Sequence, residues 1–106
     1  VFNAAQQGTF KAIGADVNQC LIDPDHIMLS AIRKIDVVIK DGIKSAIDGT
    51  LEGGTMVPGL KEDALGITNE GSKVEIDSAS LDAAQTAKDK IISGEITVPS
   101  TIDEVK

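Results

Sequence analysis

The 106-residue sequence predicts an α/β fold, a parallel sheet flanked by helices, and three observations carry that prediction. Short apolar runs at Phe10–Ala15, Ile27–Leu29 and Ala64–Thr68 alternate with longer stretches of helical spacing. That alternation builds a layered α/β domain. Within Met28–Gly49, residues Ile32, Ile35, Val38, Ile39, Gly42, Ile43, Ala46 and Ile47 fall on one helical face. Hydrophobic residues make up 42% of the chain, enough for a packed core within one domain.

Taken in order, Val1–Ala5 reads as a short buried strand and Gln6–Thr9 as a turn. Phe10–Ala15 is a second strand ending at Asp16, with Phe2 and Phe10 as core residues. The spacing raises a difficulty. Parallel neighbours need a crossover of about a dozen residues, and only Gln6–Thr9 separates these runs. Either the two strands form an antiparallel hairpin or a segment is missing between residues 5 and 11. Cys20–Asp25 reads as a loop in which Pro24 fixes a turn. Ile27–Leu29 is a third strand feeding the long helix, with Ser30 placed to cap it. Arg33 then lies in the first turn, where a cation opposes the helix dipole. It is either a solvated side chain or a contact for a ligand with acceptor oxygens. Asp36 and Lys40 are opposite charges in the favourable i, i+4 order, and Gly49 is the stop. Thr55–Val57 reads as an edge strand bent by Pro58–Gly59, and Ala64–Thr68 as a further strand. Ser78 and Ser80 offer caps for a second helix with an apolar stripe of Leu81, Ala84, Ala87, Ile91 and Ile92, ended by Gly94. Ile96–Val98 stops at Pro99, and Ser100–Lys106 is a largely polar tail.

The net charge of -7 and an aromatic content of 2% argue against a nucleic-acid partner, which calls for basic patches or stacking rings. No apolar run approaches the ~20 residues of a membrane span. The chain opens at Val1 without a signal peptide, so the expectation is a processed or truncated N-terminus. Cys20 has no second cysteine to pair with. His26 lies beside Asp25, but no second His or Cys completes a zinc site of the usual ligand types, and no metal is expected. Cys20 lacks a base at a recognisable spacing. The glycines form neither dinucleotide nor phosphate-loop motifs, so no cofactor is expected. Asp16 and Asn18 are two apart and would point the same way from an extended backbone. A carboxylate beside an amide suits a polyhydroxylated ligand, and the same residues equally suit a turn or a cap. In α/β sheets ligands bind outside the carboxyl ends of the strands. Asp16 and Ser30–Arg33 would then face one crevice.

Four segments in order, KAIGADVNQ, MLSAIRKIDVVIKDGIKSAIDG, LEGGTMVPGLKEDALGI and KDKIISGEITVP, resemble the C-terminal part of the basic membrane protein (BMP) lipoproteins. These are the substrate-binding lipoproteins of ABC importers, and several bind purine nucleosides. The resemblance runs from Lys11 to Pro99. It implies a periplasmic-binding-protein-like (type I) pair of α/β lobes, of which this chain is a C-terminal portion. It implies no catalysis, a nucleoside or similar small solute in an interlobe cleft, and an ABC transporter permease as partner. It also implies an extracytoplasmic location, with a lipid anchor to the cell membrane outside this chain.

The resemblance further implies that Asp16 holds ribose hydroxyls through charge-assisted hydrogen bonds. The ligand-contacting cation after the Leu29-Ser30 strand end, usually Lys in the family, is Arg33 here and is followed by Lys34. The two cations are not interchangeable. The family has a glycine-rich loop of the form AAGGTG after its first strand, then a helix. Here Ala4-Ala5-Gln6-Gln7-Gly8-Thr9 stands in its place. Only Gly8 carries over as a ligand-side residue, and the helix reads as absent. Two readings from other classes remain: a small α/β enzyme using Asp16, Arg33 and His26, and an interaction domain that self-associates through a sheet edge.

Overall fold

The computed structural model describes residues 1–105, which fall into two compact units, Val1–Glu75 and the residues from Ile76 onward. In the first unit, α1 (Phe2–Gln7) leads into β1 (Ala12–Asp16), followed by β2 (Ile27–Arg33), α2 (Ile35–Ile47) and β3 (Leu65–Thr68). The strands form one sheet in the order β1-β2-β3. β1 pairs with β2 in parallel, with Asp16 opposite Ile32. β3 runs antiparallel to β2, with Leu65 opposite Arg33. The α/β class stands, with a mixed sheet in place of an all-parallel one.

The N-terminal segment corrects the sequence reading. Val1–Ala5 is not a strand: Phe2–Gln7 is helical, with the Ala5 amide donating to the Val1 carbonyl at 3.0 Å. A short apolar run does not distinguish a strand from a buried helical turn by periodicity. Ala and Gln favour the helix, and Phe2 and Ala5, three apart, share the face that meets the core. A helix entering β1 needs no crossover of its own, so the argument for a missing segment between residues 5 and 11 loses its premise. A helix, α1, does precede this strand.

The core of this unit is small: Ala5, Ala12, Cys20 and Ile27, with Phe2 packed against it. Phe10, expected inside, is 49% exposed. The parallel connection Val17–His26 is a run of turns without a helix, which folds back because its polar groups fasten it to the sheet. The Gln19 amide donates to Ser30 Oγ at 3.0 Å and the Cys20 thiol lies 3.6 Å from the same hydroxyl. Ser30 is therefore a buried strand residue, not a helix cap. It fits because Gly14 stands opposite it. A Cβ on Gly14 would come within 2.5 Å of Ser30 Oγ.

The helix also begins later than its periodicity predicts. Residues 30–33 keep the helical spacing, but pairing with β1 on one side and β3 on the other holds them extended. Lys34 is the residue that precedes the first turn of α2, and it makes no side-chain cap. Asp36 occupies that first turn, the favourable end for an anion. The helix closes as expected at Gly49, in a left-handed conformation with φ +70°. The Gly49 amide donates to the Ala46 carbonyl and that of Thr50 to the Ser45 carbonyl, the paired bonds of a Schellman end. No residue of α2 is buried. Thr55–Val57 carries no strand pairing.

In the second unit, α3 spans Ser78–Ser93. Its cap is Asp77, not Ser78 or Ser80: the Asp77 carboxylate accepts from the Ser80 amide at 2.8 Å. Gly94 ends it at φ +82°. A 3-10 turn follows at Ile102–Glu104, and Lys106, the end of the expected tail, lies outside the described residues. Among the described residues no helix is long and apolar enough to cross a membrane.

Candidate functional site

The sheet's chemistry gathers at the carboxyl ends of β1 and β2. Because the two strands are parallel and, beyond a register shift between Ala12 and Ile13, pair Asp16 with Ile32, the last residue of β1, Asp16, and the last of β2, Arg33, arrive at the same end. Arg33 Nε lies 3.0 Å from Asp16 Oδ1 in an ion pair, and both side chains are about two-thirds exposed, at 67% and 66%. An ion pair this open to water contributes little to folding, and both groups are reachable by a solute. Arg33 is thus a strand-end residue and not part of the first turn of α2. The dipole conflict that would have marked it does not arise.

Asp16 is held at φ +74°, a left-handed conformation that is uncommon outside glycine and that Asp tolerates better than most. Such outliers concentrate where a side chain must be aimed. Here the carboxylate meets Arg33 at the strand end. The Ala15 amide, on the inner side of this bend, donates to Gln19 Oε1 at 2.9 Å.

Asn18 does not share this orientation. The left-handed residue breaks the two-residue alternation, and both ends of the Asn18 amide are engaged. Its Oδ1 accepts from the Cys20 amide at 3.0 Å, while Nδ2 donates to the Glu70 carbonyl at 3.0 Å. It is a turn residue that ties the β1–β2 connection to the loop after β3. Gly8 is separated from Asp16 as well, since it caps α1 before β1 begins. No glycine-rich loop surrounds it, because the residues before it are helix.

His26 lies at the other end of the sheet. Its carbonyl accepts from the Ala12 amide at the start of β1, at 2.8 Å. Its Nδ1 is 2.9 Å from Asp23 Oδ1, and Gln6 Nε2 donates to Asp23 Oδ2 at 2.7 Å. These two bonds, the His26 one first, hold the Asp23 carboxyl below its ordinary range although burial works against them. The set fastens α1 to the loop entering β2, and it leaves an enzyme built from Asp16, Arg33 and His26 without its third member. Among the described residues no cluster of His, Cys, Asp and Glu could hold a metal ion.

A second charged pair flanks the first and gave no signal in the sequence. Lys34 Nζ donates to Asp63 Oδ1 at 2.7 Å. Asp63 lies far along the chain but just before β3, whose antiparallel pairing brings it to the end of β2. Only the register of that pairing, which the sequence does not show, could have found it.

Comparison with known proteins places this geometry in a family. The family described as "ABC transporter substrate-binding protein PnrA-like" (Bmp) matches residues 1–102. Basic membrane protein D of Borreliella burgdorferi is 39% identical over 93 residues, covering 82% of this chain and 26% of that protein. The ABC transporter nucleoside-binding protein BmpA of Lactococcus lactis is 37% identical over 81 residues, covering 74% of this chain and 21% of that protein. Among solved structures, an ABC transporter system solute-binding protein from Aeropyrum pernix superposes with a TM-score of 0.67 at 25% identity, over 96% of this chain and 36% of that one. The chain thus spans about a quarter of the length of these curated relatives. The family is one of transport-associated binding proteins and not of enzymes, and this chain belongs to it: it is a member of the Bmp, PnrA-like family of ABC transporter substrate-binding proteins.

Proposed function

We propose that these residues are the C-terminal portion of a two-lobe, periplasmic-binding-protein-like receptor. The intact receptor binds a nucleoside between its lobes and delivers it to an ABC importer permease. It works outside the cytoplasm, held at the membrane by a lipid anchor that lies outside this chain. The observation that carries the proposal is the Asp16–Arg33 pair at the carboxyl ends of parallel strands, where open α/β sheets bind their ligands. Support comes from the relative named as nucleoside-binding.

The pair suits a sugar. The second carboxylate oxygen of Asp16 can accept from vicinal hydroxyls, and charge-assisted bonds of this kind are the strong ones. Arg33 keeps donors beyond Nε for the acceptor atoms of sugar or base. The opposite charges balance locally, which favours an uncharged solute over a phosphorylated one. Gly8 and Asn18 are placed in the loops around the sheet, with the Asn18 amide engaged by Glu70 and Cys20.

Replacing Asp16 by Ala in the intact protein leaves two hydroxyls unmatched, a loss of roughly 100-fold or more in affinity. Isothermal titration with a purine nucleoside measures it. Unchanged affinity would remove Asp16 from the site and the proposal with it.

A further inference from the structure

We infer that Asp63 and Lys34 are positioning residues for the proposed ligand-facing cation Arg33. They form a latch that fixes the last residues of β2, and the inference rests on the Asp16–Arg33 reading given above. β2 is the central strand, so its end can be held from both flanks. On the β1 side the hold is Arg33 to Asp16, at 3.0 Å. On the β3 side it is double. The Lys34 amide donates to the Ala64 carbonyl at 2.8 Å, and Lys34 Nζ donates to Asp63 Oδ1 at 2.7 Å.

The turn that delivers Asp63 is built before it meets Lys34. The Ala64 amide donates to the Gly59 carbonyl at 2.9 Å and the Asp63 amide to the Leu60 carbonyl at 3.2 Å. Glu62 closes the loop by accepting from the Gly59 amide at 2.8 Å. Ala64 is buried, which anchors the turn to the unit. Asp63 itself takes a left-handed φ of +54°, and among the described residues it and Asp16 are the two non-glycine residues with positive φ. Both are aspartates, and each is aimed at one of two consecutive cations.

The consequence is a sorting of charges. Arg33 and Lys34 are adjacent, and a lone Asp16 would attract either. With Lys34 engaged by Asp63, Asp16 faces Arg33 alone, and the guanidinium keeps one orientation toward the crevice. Lys34 also carries the carbonyl that accepts from the Val37 and Val38 amides, so the latch fixes where α2 starts.

The test uses the intact protein. Asp63→Asn keeps the side-chain shape and tolerates the left-handed backbone, while Lys34→Met keeps length without charge. Both are expected to shift the Arg33 Nε–Hε NMR resonance, assigned through Arg33→Lys, and to speed its exchange with water, as Asp16→Asn does. Lys34→Arg, which preserves the pair, should match the wild type. Combining Asp63→Asn with Lys34→Met should add nothing beyond either alone. Nucleoside affinity should fall about two- to fivefold in Asp63→Asn and Lys34→Met. If Asp16→Asn moves the resonance while Asp63→Asn and Lys34→Met do not, the latch is refuted. If all three move it but no nucleoside binds the wild type, the latch stands and the nucleoside reading falls.

Discussion

Gly14 shows how a single residue sets the site's foundation. A methyl group there would meet Ser30 Oγ at 2.5 Å and Gln19 Cβ at 2.9 Å, and Ser30 has no room to move because it is fully buried in β2. Gly14→Ala is therefore expected to cost about 1–3 kcal/mol, read from urea unfolding of the intact protein. A cost near zero would mean that β1 and β2 are not in this register. Asp23 gives a second prediction, in pH. Its folded carboxyl titrates below the ordinary 3.8, first because of the His26 bond. The unfolded chain binds the proton more readily, so the stability that Asp23 supplies is present above its ordinary value and is lost as pH falls through the folded one. Asp23→Asn should lower the melting temperature at neutral pH and flatten the acid limb below about pH 4; an unchanged acid limb would contradict the bond network. At this scale the sequence was half legible. Asp16 stood out because a carboxylate at a strand end is a recognisable type. Asp63 and the Gln6–Asp23–His26 set were silent because their partners come from distant segments. The alternation that set Asn18 beside Asp16 assumes an extended backbone, which the left-handed Asp16 interrupts.

Among the elements, α2 was the most visible in the sequence, yet none of its residues is buried. Its end was legible because Gly49 has a local mechanism, the left-handed cap. Its start was not, because the same apolar spacing continues into residues that sheet pairing claims. Strand pairing also explains α1: a strand at Val1–Ala5 would have needed a neighbour, whereas one helical turn needs only the core contact of Ala5 and Phe2. The apolar stripe of α2, Ile35, Ile39, Ile43 and Ile47, is 55–80% exposed. Gly42 tests what this means. A Cβ at Gly42 has nothing within 4 Å, so in residues 1–106 alone Gly42→Ala should stabilise α2 by about 0.5–1 kcal/mol. If the proposed two-lobe receptor packs another layer on this stripe, the same change should be neutral or unfavourable there. Thermal unfolding of both forms compares them directly, and an equal gain in both would show that nothing covers the helix.

Ile13, Ala15, Ala31, Leu65 and Ile67 occupy alternate positions on the three paired strands, so that they share one sheet face, and all are exposed. A sheet with parallel strands is ordinarily covered on both sides, and exposed apolar surface of this extent marks an interaction surface. Together with the bare stripe of α2, it is the surface that the proposed two-lobe receptor would cover with the rest of its chain; this chain matches 36% of the A. pernix protein. Two consequences follow for residues 1–106 produced alone. On the proposal of a two-lobe receptor, these residues should bind a hydrophobic dye and gain mass with concentration in light scattering, while the longer receptor should do neither. It should also bind nucleosides negligibly although Asp16 and Arg33 are in place, because pockets of this kind bury most of the ligand surface and one pair at an open strand end buries little. Micromolar binding by the monomeric fragment would refute the two-lobe requirement, because affinity of that order needs about 8 kcal/mol, far more than two exposed polar groups supply in water.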